Sequence, residues 1–444
     1  MTSEPRLYRL GYLTLAPGIL PRHAWSLLVA AFFSIGLMIF ISVGQTYVLN
    51  ALLKVPVEQQ GSISGDLVFW TELITLALFM PAGILMDRIG RRSIYAAGLL
   101  LLAATYILYA QATSVHDLYL YRIVYACAVV AVAGGLSTVM VDYPAENSRG
   151  KLVATLGFLS GLGVAFIQGL GALPHALIKH GWSEQEAGLI THLGVAGLAV
   201  AVAVLVAVGL KGGTPMHRSD RPGVRELFIS GFAAARNPRI LLAYGAAFIA
   251  RGDQSVNAIF MILWGTTAGL AAGMGNAQAV KQGMFFFVIA QVAALVWSPV
   301  LGPLLDRLDR ATALAVCMLL AALGNFSLLF LESPLAANAW VFSILIGIGQ
   351  ISVYLGAQSL IGQEAPTRQR GSIIGAFNVS GAIGILAITW LGGRLFDHLA
   401  PSAPFVLVGL INLLLVAGAL YVRAKAPSPP IDRGGESQPA AGLH

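Results

Sequence analysis

The chain has 444 residues, of which 57% are hydrophobic and only 11% are charged. An ordinary soluble domain carries about a quarter charged residues, so this composition excludes a soluble globular protein. The formal net charge is +7. In so apolar a chain this excess reports the orientation of a membrane protein, and it gives no sign of nucleic-acid binding.

Twelve apolar segments of about 20 to 28 residues follow one another, each long enough to cross a hydrocarbon layer of about 30 Å. We therefore predict an all-α membrane protein with twelve transmembrane helices. The first six predicted spans are 24 to 52, 66 to 87, 93 to 112, 118 to 142, 150 to 177 and 186 to 210. The second six are 239 to 268, 281 to 305, 311 to 331, 335 to 363, 370 to 398 and 402 to 423.

These spans divide the chain into five parts. We predict a cytoplasmic N-terminal tail (1–23), an N-terminal six-helix bundle (24–210), a cytoplasmic linker (211–238), a C-terminal six-helix bundle (239–423) and a disordered cytoplasmic tail (424–444). Within the linker, RPGVRELFISGFAAARNP alternates apolar and polar residues at a roughly helical period. This pattern predicts an amphipathic helix on the membrane surface, with a solvated linker as the alternative.

The positions of Lys and Arg predict the orientation. If the N-terminus is cytoplasmic, 21 of the 27 Lys and Arg fall on cytoplasmic segments, in keeping with their resistance to translocation. An even number of spans then places both termini in the cytoplasm. The predicted location is a bacterial inner (cytoplasmic) membrane. The first apolar run is too long for a signal-peptide core and is expected to be retained.

Internal repeats indicate two related halves. PAGILMDRIGRR after the second span is echoed by PVLGPLLDRLDR after the eighth, at an offset of 219 residues. AAFFSIG and AAFIARG match at an offset of 216, and ENSRGKLVATLGFLSGLG matches TRQRGSIIGAFNVSGAIG at 221. Three matches in order at nearly one offset predict two six-helix halves in tandem.

A motif between the second and third spans carries a family resemblance. Its residues are Gly83, Asp87, Arg88, Gly90, Arg91 and Arg92, and a weaker copy consists of Gly302, Asp306, Arg307 and Arg310. Together with the six-plus-six plan, this motif resembles that of the major facilitator superfamily over residues 24–423. The resemblance implies two pseudo-symmetric six-helix bundles that rock about a central cavity, which is alternating access by a secondary transporter.

The motif is predicted to act as a gate. Asp87 ends the second span, where its carboxylate is expected to meet the positive N-terminal end of a helix from the other half, near Gly371. The motif arginines are expected to pair with acidic helix ends such as Asp142. In the second copy of the motif Asp309 replaces Gly90, which suggests that the gates of the two halves are asymmetric. Charges that only anchor topology are the alternative.

Polar residues deep in the spans are the candidates for coupling. Counted from the cytoplasmic ends at 1.5 Å per residue, Glu72 and Asp253 lie roughly 20 Å deep. Ionisable groups at that depth face a cavity or a partner, so we assign both to proton coupling. Arg122 resembles the family's fourth-span arginine, which the resemblance links to proton movement, although Ala126 stands where the family motif has glycine. Snorkelling of Arg122 to the outer interface is the alternative.

The seventh span contains Arg251, Gly252 and Asp253. Residues two apart on a helix point about 200° apart, so one charge is expected to face the cavity and the other a neighbouring helix. In a second arrangement, Gly252 unwinds the helix locally and brings both charges to the site. A structural buried ion pair is the alternative. The predicted substrate-binding residues are Arg251, Asn257, Gln291, Gln350, Tyr354 and Asn378.

These features predict a proton-coupled secondary transporter of a small organic solute. Multidrug efflux by drug:proton antiport is an alternative. The family resemblance implies a glycine series with a Gly-Pro pair in span five of such exporters, and the series of this chain lacks that pair, which weakens this alternative: Gly157, Gly161, Gly163, Gly169 and Gly171. A non-transporting receptor or assembly factor is a second alternative. The expected partners are a small-molecule substrate, protons and the lipid bilayer, with no nucleic acid, and the expected state is a monomer. No enzymatic activity, cofactor or metal site is predicted. The sequence shows no metal-binding His and Glu motif, nucleotide-binding glycine loop or serine nucleophile elbow in the structural context that such a motif requires.

Overall fold

The structure, a computed structural model, describes residues 8–145, 148–212, 231–365 and 370–425. In these ranges each predicted span corresponds to one long helix. The N-terminal half contains α1 (Pro21–Leu52), α2 (Val57–Ile89), α3 (Arg91–Tyr109), α4 (Val115–Asp142), α5 (Arg149–Gly169, continued after a 3-10 turn by Leu173–Lys179) and α6 (Glu184–Gly209). The C-terminal half contains α7 (Pro238–Val256, a π-helical turn Asn257–Met261, then Ile262–Ala271), α8 (Asn276–Arg307), α9 (Arg310–Ser327), α10 (Ala339–Glu364), α11 (Arg370–His398) and α12 (Ala403–Lys425).

The membrane character predicted from composition is confirmed. Ten helical segments within the described residues are long and apolar enough to cross a bilayer, and α2 and α7 occupy the positions of the second and seventh predicted spans. Large apolar side chains such as Val208, Phe330 and Leu414 are more than 70% exposed. Exposing these apolar side chains to water would cost free energy, whereas contact with the hydrocarbon of a membrane would not.

The two halves repeat one packing pattern. In the N-terminal half α3 packs on α4 and α6, α1 on α5, and α2 on α4. The equivalent contacts of the C-terminal half are α9 with α10 and α12, α7 with α11, and α8 with α10. Glycines bring the backbones together at matching places, since a Cβ on Gly163 would lie 1.5 Å from Phe32 O and one on Gly384 would lie 1.9 Å from Phe248 O. Contacts this close explain why small residues line these helices.

Contacts between the halves lie near the loops opposite the termini. There α2 packs along α11, and α5 packs on α8. Gly61 and Gly393 permit the approach, because a Cβ on Gly393 would lie 2.4 Å from Gly61 O. Within the described residues, the halves are therefore joined tightly at the face opposite the termini.

Helix ends are set by local chemistry. Ser114 and Asp117 form a capping box at the start of α4, as do Ser183 and Glu186 at the start of α6. Gly90 alone joins α2 to α3. Its φ angle is 108°, a backbone conformation that residues other than glycine rarely adopt. At the equivalent position Asp309 has φ at −55° and instead caps α9, accepting hydrogen bonds from the backbone N–H groups of Ala311 and Thr312. One substitution between the repeats thus reflects two ways of making the same turn.

The predicted unwinding at Gly252 is wrong. The α-helix runs unbroken from Pro238 to Val256, and the irregularity is the π-helical turn Asn257–Met261 that follows. Gly252 serves packing, because a Cβ there would lie 2.5 Å from Ile388 Cδ1 on α11. A second π-helical turn, Val48–Leu52, ends α1 in the other half.

The segment before α1 is folded where the structure describes it. Strands β1 (Arg9–Leu10) and β2 (Leu13–Thr14) form an antiparallel hairpin. Leu15 is fully buried, and the N–H of Ala145 donates to Thr14 O, which ties the hairpin to the loop after α4. Most of the predicted amphipathic helix and the tail after Lys425 lie outside the described residues.

Candidate functional site

Three of the predicted substrate-binding residues share one recess between α7, α10 and α11. These are Arg251, Tyr354 and Asn378. Arg251 and Asn378 are exposed and Tyr354 is half-buried, so their polar groups are accessible. The other lining residues are Ala247, Ala250, Ala357, Gln358 and Phe377. The recess therefore offers a cation and neutral hydrogen-bonding groups on a mostly apolar wall.

Glu72 lies on α2, in the other half. It is half-buried, and the charges that act on it electrostatically are those of Arg251 and Arg122. One carboxylate is thus influenced by an arginine from each half.

Arg122 faces the interior of the N-terminal half. Only 2% of the residue is exposed, and its guanidinium donates hydrogen bonds to Gln45 Oε1 on α1 and, at 3.4 Å, to Thr71 Oγ1 on α2. Gln45 in turn donates to Ser64 Oγ at 3.0 Å. Snorkelling to the interface is therefore wrong, because the side chain reaches the helices around it.

Two tyrosines complete the surroundings of Arg122. Its guanidinium carbon lies 5.9 Å from the ring centroid of Tyr109 and 5.1 Å from that of Tyr125, both within cation–π range. The Tyr125 hydroxyl donates to Met38 O at 2.7 Å. This arrangement stabilises a buried cation without an ion pair in the described structure.

The remaining predicted polar residues form a second network, inside the C-terminal half. Asn257 Nδ2 donates to Asp253 Oδ1 and to Gln350 Oε1, each at 3.0 Å. Gln291 Nε2 donates to the same Gln350 oxygen at 3.4 Å. Asp253 and Asn257 are fully buried, and Asn325 on α9 also interacts with Asp253. The six candidate binding residues are thus divided between an accessible recess and a buried network.

Arg251 and Asp253 face different surroundings. Arg251 is exposed in the recess, whereas Asp253 is fully buried against α9 and α10. No ion pair joins them in the described part of the chain. The alternative of a structural Arg251–Asp253 pair is therefore wrong.

The described part of the gate motif makes contacts within its own half. Arg91 forms an ion pair with Asp142 at the end of α4, and Arg92 donates to Leu210 O at 3.3 Å. In the C-terminal half, Arg239 pairs with Glu364 at 2.7 Å and with Asp309 at 3.3 Å. Arg310 begins α9. The side chains at the other motif positions fall outside the described structure: Gly83, Asp87, Arg88, Gly302, Asp306 and Arg307. The predicted contact of Asp87 with a helix of the other half therefore stays a prediction.

Asp309 lies in the turn between α8 and α9, outside the membrane-spanning helices. Burial opposes ionisation of Asp309, but hydrogen bonds from the Thr312 amide and the Arg239 guanidinium outweigh it and lower the pKa of this carboxyl below its ordinary value. Asp309 therefore stays charged at neutral pH.

On the face opposite the termini, polar bonds cross between the halves. Asp397 on α11 accepts from the backbone N–H groups of Gly61 at 2.9 Å and Ser62 at 2.6 Å. Arg394 donates to Asp66 at 3.1 Å. These bonds join the two halves at that face of the described structure.

Comparison with known proteins decides the family. A family model described as Major Facilitator Superfamily matches residues 27–389. The chain belongs to the major facilitator superfamily. This superfamily comprises secondary transporters rather than enzymes, so the protein is an integral membrane transporter by family.

Two relatives with similar sequences are both named as magnetosome proteins. Magnetosome protein MamH of Paramagnetospirillum magneticum (strain AMB-1) is 28% identical over 404 residues, which cover 89% of this chain and 90% of MamH. Magnetosome protein MamZ of the same strain is 25% identical, over 86% of this chain and 59% of MamZ. This chain therefore corresponds to nearly all of MamH but to little more than half of MamZ.

Solved structures of the superfamily share the fold. The nucleoside transporter NupG superposes with a TM-score of 0.66 at 13% identity, covering 91% of this chain and 99% of NupG. A POT family transporter superposes with a TM-score of 0.66 at 14% identity, covering 93% of this chain and 98% of that one. At such low identity the likeness establishes the major facilitator fold alone.

The sequence analysis missed several residues of this superfamily member. Gln45 and Thr71 hold Arg122, Asn325 contacts Asp253, and Asp397 binds the backbone of α2. Their shared signal was a polar side chain inside or beside an apolar run. That signal also marks many residues whose side chains only bond their own helix, such as Thr105 with Leu101 O.

Proposed function

We propose that the protein moves a small organic solute with an anionic group across the membrane by alternating access, coupled to protons. The observation that supports this proposal is the accessible guanidinium of Arg251 in the recess. It is exposed in the recess, and among the described residues no carboxylate lies within ion-pair distance of it. An arginine stays charged at any relevant pH and presents a planar fork that matches a carboxylate or phosphate.

Coupling is assigned to Glu72. Its charge and that of an anionic substrate compete for Arg251, so a proton bound to Glu72 removes the competition. Substrate and proton then bind together, which is the requirement for symport. Arg122 acts as a positioning residue for this site, since it influences Glu72 electrostatically while being held by Gln45 and Thr71.

The conformation supports alternating access. With the termini in the cytoplasm, as the Lys and Arg distribution predicts, the face joined by Asp397 and Gly61 is the outer one. The structure then corresponds to a transporter closed outside. Transport requires these outer bonds to break while the halves close at the termini face.

We further propose a monomer in the cytoplasmic membrane. The relatives named as magnetosome proteins make the magnetosome membrane a second candidate location. Fractionation of a host that makes both membranes, followed by detection of the tagged full chain, separates the two locations.

Reconstituted flux tests the function. Purified protein in proteoliposomes is expected to accumulate one or more labelled organic anions when the interior is made alkaline, and to lose accumulation when a protonophore removes the gradient. The panel consists of monocarboxylates, dicarboxylates and organic phosphates, with lipophilic cations for the multidrug alternative. Flux of cations alone would overturn the anion assignment, and flux of none with intact folded protein would favour a non-transporting role.

A further inference from the structure

Four basic side chains lie together at the end of the N-terminal half that carries the termini. His23 is in the first turn of α1, and the charges that act on it electrostatically are those of Arg22, Lys211 and Arg92. Arg22 also begins α1, Lys211 directly follows α6, and Arg92 begins α3. No carboxylate of the described structure acts on His23. We call these four residues the basic cluster.

Glycines allow two of these cations to lie directly against the backbone. A Cβ on Gly18 would lie 3.0 Å from Lys211 Nζ, and a Cβ on Gly212 would lie 3.2 Å from the guanidinium carbon of Arg92. Gly18 has a φ of 77°, which residues other than glycine rarely adopt. Arg92 Nη1 also donates to Leu210 O at 3.3 Å. Both cations are therefore held at defined positions.

His23 adds a hydrogen-bond donor to the cluster. Its Nδ1 accepts from the backbone N–H of Leu20 at 3.2 Å, so the ring is neutral and the hydrogen lies on Nε2. The residue is only 8% exposed, and its Nε2 has no hydrogen-bond partner in the described part of the chain. A donor in so buried a ring is costly without a partner, so it is available to a ligand.

The C-terminal half neutralises its equivalent cation. Arg239 follows a proline at the start of α7, as Arg22 follows a proline at the start of α1. Arg239 pairs with Glu364 at 2.7 Å and with Asp309 at 3.3 Å. The positive charge at this end of the C-terminal half is therefore balanced by carboxylates of the protein itself.

The N-terminal half has no such carboxylates. The internal repeat places Gly90 at the position of the aspartate and Tyr143 at that of the glutamate. Among the described residues, no carboxylate lies within ion-pair distance of Arg22, Arg92 or Lys211. Like charges held together repel one another, so an anion from outside the chain would stabilise this arrangement.

The surface next to the cluster is apolar and exposed. Arg22 is exposed, and Trp25 and Val29, one and two turns farther along the same face of α1, are 58% and 39% exposed. Val208 near the end of α6 is 79% exposed. Tryptophan favours the headgroup level of a bilayer, so the cluster lies where lipid headgroups meet the protein.

We propose that the basic cluster binds the phosphate of an anionic phospholipid in the leaflet on the side of the termini. Arginine and lysine are the side chains that bind phosphate, and basic pockets between transmembrane helices hold such headgroups. Trp25 and Val29 offer an apolar face to the acyl chains. Orientation of the protein requires only that cations lie on this side, and it does not require three of them around one buried histidine. The proposal is independent of transport through the Arg251 recess.

Native mass spectrometry of the purified full-length protein in detergent is the direct test. Phosphatidylglycerol and phosphatidylcholine with the same acyl chains are added in turn. Phosphatidylglycerol is expected to bind at least roughly tenfold more tightly, because the choline cation opposes binding beside three basic groups. It is also expected to raise the unfolding temperature more than phosphatidylcholine does. Inorganic phosphate, which lacks acyl chains, is expected not to displace it.

A matched set of variants provides the control. Arg22→Gln and Lys211→Gln each remove one exposed charge and are expected to weaken phosphatidylglycerol binding roughly fivefold, with phosphatidylcholine binding unchanged. Arg423 and Lys425 are exposed cations in the last turn of α12, the helix equivalent to α6. Arg423→Gln and Lys425→Gln remove the same charge at the same end of the protein and are expected to leave the binding of both lipids unchanged.

Three results would overturn the proposal. They are equal binding of the two lipids by the parent protein, equal effects of Lys211→Gln and Lys425→Gln, and displacement of phosphatidylglycerol by inorganic phosphate. The last result would identify a site for free phosphate instead of a lipid. None of the three bears on whether Arg251 binds an organic anion, so failure here and failure of the proposed function are distinguishable.

Discussion

Asp397 on α11 accepts a hydrogen bond of 2.9 Å from the backbone N–H of Gly61 on α2, across the boundary between the two halves. The other carboxylate oxygen accepts from Ser62, and the neighbouring Arg394 contacts Asp66. A carboxylate bound to backbone amides makes stronger hydrogen bonds than a neutral acceptor. This point of contact is therefore central to the closed face opposite the termini.

Asp397→Ala is expected to open that face. Hydrogen bonds to a charged group contribute about 1.5–3 kcal/mol each, so losing two shifts the equilibrium toward the outward-open state by tenfold or more. The measurement is the distance distribution between spin labels at Gln111 and Ala272, with the native cysteines replaced. Longer distances are expected in the variant.

Asp117 provides the control for this variant. It also accepts backbone N–H groups on the same face, those of Thr113 and Ser114, but it does so within one half. Asp117→Ala is expected to leave the distances unchanged. Equal distance distributions for Asp397→Ala and the parent would show that Asp397 does not maintain closure.

Arg251→Ala is expected to weaken binding of the anionic substrate by roughly 10- to 100-fold, the equivalent of losing one charged hydrogen bond. Arg251→Lys should restore part of this loss, because a lysine keeps the charge but not the planar fork. Calorimetric titration of each variant measures the change. Arg423→Ala removes an exposed cation at the end of α12 and should bind substrate as the parent does. An effect of Arg251→Ala no larger than that of this control would exclude Arg251 from the site.

Glu72→Gln is expected to make transport independent of pH. The amide cannot bind or release a proton, so substrate should exchange across the membrane without accumulating against its gradient. Flux into proteoliposomes with and without a pH gradient measures this. Glu58→Gln, at the exposed start of the same helix, should keep the gradient response of the parent. A gradient response retained by Glu72→Gln would remove Glu72 from the coupling mechanism.

Gly163→Ala is expected to destabilise the protein by about 1–3 kcal/mol or more, because the added methyl group would lie 1.5 Å from Phe32 O and force α1 and α5 apart. Gly157 lies on the same helix with nothing within 4 Å of an added Cβ. Gly157→Ala should therefore be neutral or slightly stabilising. Thermal unfolding in detergent compares the two, and equal unfolding temperatures would refute this account of the helix contact.

The sequence by itself determined the number and order of the helices. Hydrocarbon leaves no partner for an exposed backbone, so each crossing must be one continuous apolar helix, and its length can be read from the chain. The ends of the helices are harder to predict where the sequence becomes polar. The helix α2 starts at Val57 and not at the predicted residue 66, because the polar segment VEQQGSISGD continues the helix beyond its apolar part. The two halves and their family also followed from the sequence, since repeated motifs at nearly constant offsets survive in it.

The tertiary structure decided how the polar residues are grouped. Arg251 and Asp253 are neighbours in the sequence, yet one faces an accessible recess and the other a buried network. Asn325 and Asp397 join their partners only through helices that are distant in the chain. Depth follows from residue count along one helix, whereas the direction a side chain faces depends on how each helix is rotated against its neighbours. That rotation is set by close backbone contacts such as Gly163 with Phe32 and Gly384 with Phe248, which no single segment contains.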